Sequence, residues 1–414
     1  MSTQQRWTST AGLAAAILAV QLGCASPQEP EQLVWAEPGP QMPTSPVDTE
    51  PLPVQAFVDR SLAPGAPEYI EAHADEIAQH PLAVFQLRLL LSENGVALAD
   101  ALRERNPDIV ILGVMQVLSR PGFWDDAGQR ERYPFSGDLF DLLASSTAVT
   151  TTGDIPPMWD NAPMITPMRH GQLNITLQER ILETVVRHAV LRPRAFDGML
   201  HDYMSPSPWI WPDPAEAGIG EVDLDRDGIG FSDDPVEQEM WVGWQARLID
   251  RLQELFGPGL IQIANGRLAL VDSAIAARLA GVWIQHFPTT AWNETDREGL
   301  DMALEHIAPG YFAPRRGRLW SLYAPETASR PGNIDFRRHT SFLTGQFYVY
   351  KQSRSEEFFG RDPVREELGA PLGGVEVQRQ EDGSATYERR FELGTVRIEV
   401  NAFGHTTALV TDRL

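Results

Sequence analysis

Short runs of consecutive apolar residues alternate along this chain with longer segments in which apolar residues recur every three or four positions. That texture predicts strands alternating with helices around a mostly parallel sheet. The strand-length runs are Leu82–Leu87, Ile109–Val117, Met164–Met168, Phe196–Tyr203, Leu260–Ala264 and Gly281–Phe287, with two more at Leu319–Tyr323 and Gly345–Tyr350. Helical spacing marks Val96–Arg105, Leu177–Leu191, Val236–Phe256 and Val271–Leu279. These eight runs suit a (β/α)8 TIM barrel, an α/β fold, over residues 56–365, with Leu33–Ala36 as an alternative place for its first strand. Beyond Leu368 the texture changes to strict alternation without helices, at Gly374–Gln378, Ala385–Leu393, Thr395–Ala402 and Thr407–Thr411. Antiparallel strands joined by turns such as Glu381-Asp382-Gly383 follow from it, hence a small β-sandwich-like domain over 366–414 packed on the barrel.

The N-terminal segment does not belong to that pattern. Arg6 precedes an apolar run from Ala11 to Leu22, which is too short to span a bilayer and reads as the core of a signal peptide. Gly23-Cys24-Ala25-Ser26 resembles the cleavage site of bacterial lipoproteins, where the cysteine is lipidated, although Gln21 departs from the apolar residue usual there. Residues 1–24 are therefore expected to be a leader ending at Cys24, with ordinary secretion or a buried inert cysteine as the alternatives. Residues 25–55 are rich in Pro, Gln, Glu, Ser and Thr, too polar for a core and suited to a tether. With Cys24, the only cysteine, lipidated, the mature chain is expected to hold no disulfide, thiolate metal site or cysteine nucleophile. A net charge of −23 and a single lysine, Lys351, argue against nucleic acid as a partner and leave neutral or cationic ligands open.

Candidate chemistry concentrates after the run at 196–203. Asp197 and Asp202 lie near its two ends, and alternation of side chains keeps residues five apart off one face of a regular strand. Asp202 is expected at the C-terminal end, where barrel enzymes carry their catalytic groups. The bland alternative makes Asp197 a cap and Asp202 a support for a loop. His201, Tyr203, Trp209 and Trp211 surround Asp202 in sequence, and aromatic faces there suit stacking on sugar rings, with burial under an insertion as the competing account. Downstream, Asp223-Leu224-Asp225-Arg226-Asp227-Gly228 ending at Asp234 has calcium-loop spacing: oxygens at positions one, three and five, glycine at six and an acid at twelve. A structural Ca2+ is one expectation for Asp223, Asp225, Asp227 and Asp234; a solvated acidic turn is the other. Asn265-Gly266 leaves the next strand, with Asn265 either hydrogen-bonding a substrate hydroxyl or accepting a left-handed turn. Gln285 and His286 end the following one, and a glutamine can bind sugar but cannot move the proton that glycosidic cleavage requires.

In that order, Asp197-Gly198 with Asp202, the Asp225-Asp227-Gly228 loop, Trp241-Val242-Gly243, Asn265-Gly266 and the Gln285 strand resemble glycosyl hydrolase-like (β/α)8-barrel families of bacteria. So do Asp335-Phe336-Arg337-Arg338, Leu343-Thr344-Gly345-Gln346-Phe347-Tyr348, Glu367-Leu368-Gly369-Ala370-Pro371 and Arg390-Phe391-Glu392-Leu393-Gly394 in the tail. The resemblance covers roughly Leu82 to the C-terminus. It implies a catalytic carboxylate at the fourth strand, matched by Asp202 or Asp197, and a glutamate near the sixth, where this chain carries Gln285. Glu294 or Glu326 is then the candidate second acid. The implied function is hydrolysis of an extracellular poly- or oligosaccharide with no required cofactor, or, if the acid is missing, lipid-anchored carbohydrate binding without catalysis.

Overall fold

A computed structural model of the chain describes residues 53–56, 67–79, 82–159, 161–210, 218–285, 295–306, 320–324, 347–349 and 371–413, together with Phe336, His339, Thr340, Phe342, Leu343, Leu368 and Gly369. Cys24 and the proposed strand at Leu33–Ala36 lie outside these residues.

Eight strands are hydrogen-bonded in parallel and close on themselves. In chain order they are β1 (Pro53–Ala56), β2 (Leu82–Gln86), β3 (Val110–Gln116), β4 (Gly198–Asp202), β5 (Ile261–Asn265), β6 (Gly281–Gln285), β7 (Trp320–Ala324) and β8 (Phe347–Val349). Each pairs with its sequence neighbour, and β8 pairs with β1 to complete the ring. The helices include α1 (Pro67–Ile77), α2 (Glu93–Arg105), α3 (Pro134–Leu143), α4 (Ile175–Val190), α5 (Pro235–Phe256) and α6 (Asp296–His306). Among the described residues, no helix is long and apolar enough to cross a membrane.

Burial on both faces explains why these strands read as unbroken apolar runs. Ile111 and Met115 of β3 pack in one cluster with Leu98 and Leu102 of α2, Leu182 and Val185 of α4, and Trp244 and Leu248 of α5. Alternation then turns Val110, Leu112, Val114 and Gln116 toward the barrel axis. The register Leu112↔Gly198, Val114↔Leu200 and Gln116↔Asp202 carries the same division into β4. Helix ends follow their capping residues. Asn174 accepts from the Leu177 amide at the start of α4, and Asp234 accepts from the Val236 and Glu237 amides at the start of α5, with Pro235 in the first turn.

Three expectations for the barrel need correction. Met164–Met168 is not a barrel strand: Met164 bridges to Ser119 and Ile165 to Thr147, inside the long insertion between β3 and β4, while Met168–Arg169 pairs with Gln172–Leu173. Its apolar residues are buried under that insertion, which mimics a strand in the sequence. The ring is completed instead by Pro53–Ala56, so the folded body starts within the segment expected to be tether. The helix expected at Val271–Leu279 is two short ones, Leu268–Val271 and Ser273–Ala276, because the Asp272 carboxylate caps the second by accepting from the Ala274 and Ile275 amides.

The C-terminal strands β9 (Glu376–Arg379), β10 (Ala385–Phe391), β11 (Gly394–Val400) and β12 (Thr406–Arg413) form one antiparallel sheet in sequence order, a single layer in place of the expected sandwich. Its inner face, Ala385, Tyr387, Phe391, Val396, Ile398 and Val400, packs with Leu300 and Ala303 of α6 and with Phe342, Leu343 and Leu368. Buried Arg389 interrupts that apolar face, yet its guanidinium donates to the Gly373, Phe342 and Leu343 carbonyls. Tyr387 Oη donates to Asp301 of α6 at 2.7 Å, joining sheet and helix.

Candidate functional site

Parallel strands bring their C-terminal residues to one end of the barrel, where those of β3, β4 and β5 meet in register, with the middle of β6 alongside. Gln116 of β3 stands opposite Asp202 of β4, Asp202 opposite Asn265 of β5, and Asn265 opposite Trp283 of β6. Asn265 Nδ2 donates to Asp202 Oδ1 at 2.7 Å, while Asn265 itself is only 4% exposed and Asp202 is half-buried. One oxygen of the carboxylate is thus held by a fixed amide from the next strand. Gln116 Nε2 donates to Ser119 Oγ, which ties the same tier to the insertion after β3.

The loops cross closely above this tier. Met204 N donates to Asn265 O at 2.6 Å and Leu268 N to Met204 O at 3.2 Å. Gly266, at φ 137°, takes the turn conformation that the sequence reading offered to Asn265, and a Cβ on it would lie 1.9 Å from Met204 O. Asn265 is therefore an ordinary strand residue free of that duty, and its amide serves Asp202.

Asp197, expected among the catalytic candidates, lies at the opposite end of β4. Its Oδ2 accepts from Arg103 Nη2 at 3.0 Å and from the Ile111 amide at 2.9 Å, and it is 9% exposed. Arg103 also donates to the Arg194 carbonyl. This is an ion pair that fixes the N-terminal rim of the barrel, where conserved chemistry in such folds concerns stability.

His201, expected to touch substrate, points away from the mouth. At 2% exposure it faces α5, and its Nε2 donates to Gln262 Oε1 at 2.9 Å, because the Gln262 amide is itself spent on the Ile249 carbonyl and Gln253 Oε1. Burial pulls the imidazole pKa down to about 4, with the bond to Gln262 opposing. The ring is neutral in the folded protein while an unfolded chain protonates it below about 6.5, so its contribution to stability is lost as pH falls from about 6.5 to about 4, on the order of 3 kcal/mol. Urea titrations at pH 7 and 4.5 are expected to show that His201→Gln loses this share of the acid sensitivity; equal slopes for both proteins would contradict it.

Tyr203 packs against the buried core, and its ring lies 5.8 Å from that of Trp209 at 40°. Burial, with the nearby Asp202 charge, pushes the phenol up to about 12, so it acts as a hydrogen-bonding group and not as a base. Trp209 is 39% exposed and offers a partly open aromatic face beside the mouth. Trp211, His286, Glu294 and Glu326 lie outside the described residues, and Gln285 is placed as the last residue of β6.

A second constellation lies in the loop between β4 and α5. Ligand-capable oxygens of Asp223, Asp225 and Asp227 lie within 4.8 Å of one another, and so do those of Asp225, Asp234 and Glu237. The loop follows the expected spacing, with Gly228 at φ 90° making the sharp turn and Asp223 accepting from the Arg226, Asp227 and Gly228 amides. Glu237 was not expected here; in the sequence it reads as an acid in the first helical turn, a common and bland preference. Burial, reinforced by the charges of Asp225 and Asp223 against two backbone hydrogen bonds, pushes its carboxyl up to about 7. Burial and the charge of Asp227 also raise Asp225.

No family model and no curated protein matches the chain. Solved structures with a similar chain path include the debranching enzyme of Nostoc punctiforme soaked with acarbose, at 11% identity and TM-score 0.40 over 86% of this chain and 87% of that one. The α-amylase of Geobacillus thermoleovorans complexed with acarbose aligns at 10% identity and TM-score 0.41, covering 87% and 88%. Cyclic α-maltosyl-(1→6)-maltose hydrolase from Arthrobacter globiformis aligns at 12% identity and TM-score 0.37, covering 90% and 89%. At these values the functional reading rests on the site's own geometry.

Proposed function

We propose that the protein is a glycoside hydrolase of an extracellular poly- or oligosaccharide, with Asp202 as nucleophile or general base at the mouth of the barrel. The observation that supports this reading most is the Asp202–Asn265 pair, a half-buried carboxylate held by an amide from the neighbouring strand at the C-terminal end of a closed parallel barrel. Such an end gathers groups from several strands around one cavity, and Trp209 supplies a partly open aromatic face beside it. Cleavage needs a second carboxyl across the bond, about 5 Å away for retention or wider for inversion. Glu294 and Glu326 are the candidates, because both follow neighbouring strands, β6 and β7, on the C-terminal side. In the leader, Cys24 is the proposed lipid attachment that holds the exported protein at the cell envelope; incorporation of labelled fatty acid that persists in Cys24→Ser would count against it.

A second reading, binding without cleavage, is favoured by one feature. The two residues paired with Asp202 on either side, Gln116 and Asn265, carry amides, and β6 ends in Gln285. Incubation of the protein with a panel of polysaccharides, counting reducing ends and measuring binding in parallel, separates the two. New reducing ends are expected; saturable binding without them would assign the protein to the second reading.

A further inference from the structure

The acidic loop ahead of α5 has no part in the chemistry at Asp202, yet it gathers the carboxylates of Asp223, Asp225, Asp227, Asp234 and Glu237 into two groups that share Asp225. Within each group the oxygens are no more than 4.8 Å apart, about twice the ordinary Ca2+–oxygen distance of roughly 2.4 Å, so one ion can reach all members of a group. Loop spacing alone is also found in solvated acidic turns. The independent observation is Glu237: its side chain is 0% exposed, its Oε1 accepts from the Asp225 amide at 2.6 Å, and its Oε2 is buried with no hydrogen-bond partner. A buried carboxylate oxygen without a donor, set among other carboxylates, is costly unless a proton or a cation neutralises it, and a cation shared with the neighbouring carboxylates relieves them all at once. Arg226, the nearest cation in sequence, sends its guanidinium to the Thr147 carbonyl instead.

We propose that the protein binds one Ca2+ in this loop at Asp225, Asp234 and Glu237, the group that holds the unpartnered oxygen, and that Asp223 and Asp227, which meet this group through the shared Asp225, draw in to complete the shell as the ion binds. The donor set is all oxygen with no histidine or cysteine, which suits a hard cation and disfavours zinc. Calcium fits better than magnesium because it accepts many protein oxygens in loose geometry, whereas magnesium holds to a compact octahedron and keeps several waters.

The ion would act as a clasp between two insertions. Val222 and Asp223 pair with Thr150 and Val149, Thr166 Oγ1 donates to the Leu224 carbonyl at 2.8 Å, and Arg226 reaches Thr147 at 2.9 Å. All of those partners belong to the insertion after β3, whose first residues contact Gln116 at the mouth. Neutralising the acidic cluster would therefore fasten the insertion after β3 to the N-terminus of α5, beside the mouth but independently of any reaction there.

The test uses the full chain freed of metal with a chelator and titrated calorimetrically with calcium chloride, with melting followed in calcium, in magnesium and in chelator. Saturable binding near one ion per chain is expected, with a melting temperature several degrees higher in calcium than in equal magnesium. Glu237→Gln is expected to weaken binding at least tenfold. Because Asp227 is exposed, Asp227→Asn tests the same site with little risk to folding, and the same direction of change is expected. Absence of saturable binding in the unaltered protein, an equal shift with magnesium, or unaltered affinity in either folded variant would overturn the proposal.

Discussion

Asp202→Asn is expected to reduce polysaccharide hydrolysis by about 10²- to 10⁴-fold while leaving the melting temperature nearly unchanged. The substitution is close to isosteric, and an asparagine side chain still offers Oδ1 to the Asn265 amide that now holds the carboxylate at 2.7 Å. What it removes is the charge and the ability to accept a proton or attack an anomeric carbon. Rates measured at saturating substrate, with circular dichroism to establish folding, distinguish loss of chemistry from loss of structure. Hydrolysis that survives the substitution would leave an enzyme but move its site away from Asp202.

Asp197→Ala should do the reverse. Removing this carboxylate leaves Arg103, only 12% exposed, without its counter-charge, and deprives the buried Ile111 amide of its acceptor. Breaking a buried pair by deleting one partner costs about 3–5 kcal/mol, a large part of the stability of an ordinary domain. The expected result is a marked fall in the urea midpoint, with turnover per folded molecule within a factor of about two of the parent. A stable but inactive Asp197→Ala would return that residue to the catalytic set.

Much of this architecture is legible in the residues because barrel strands are buried on both faces and therefore stand out as continuous apolar runs. The run at 109–117 became β3 at Val110–Gln116, and the helix read at Val236–Phe256 became α5 at Pro235–Phe256, its start fixed by the Asp234 cap. The same physics explains the failures. Pro53–Ala56 is too short to announce a strand, opens on a proline and is broken by Gln55, and its place comes from pairing with β2 and β8. Met164–Met168 announces one falsely, since apolar residues under an insertion look like those in a sheet.

Within the site, two-sided burial also hides which face of a strand looks inward. Asp202 and His201 are adjacent in β4, yet one meets Asn265 at the mouth and the other meets Gln262 beneath α5. Alternation alone separates them once the end of the strand is known. The spacing of the Asp223 loop was legible because a sharp turn with glycine at position six imposes it. Glu237 was not, because its role depends on α5 folding back over Asp225, a tertiary contact that local sequence does not encode.

On this reading sugar binds and reacts at the mouth carrying Asp202 and Asn265. A crystal structure of the Asp202→Asn variant with a bound oligosaccharide tests it most directly. A sugar ring is expected above the substituted side chain, its anomeric carbon about 3–3.5 Å away or one water further, with Asn265 and Trp209 beside it. Sugar bound at the Asp197 end of the barrel, or on the C-terminal sheet with the mouth empty, would contradict it.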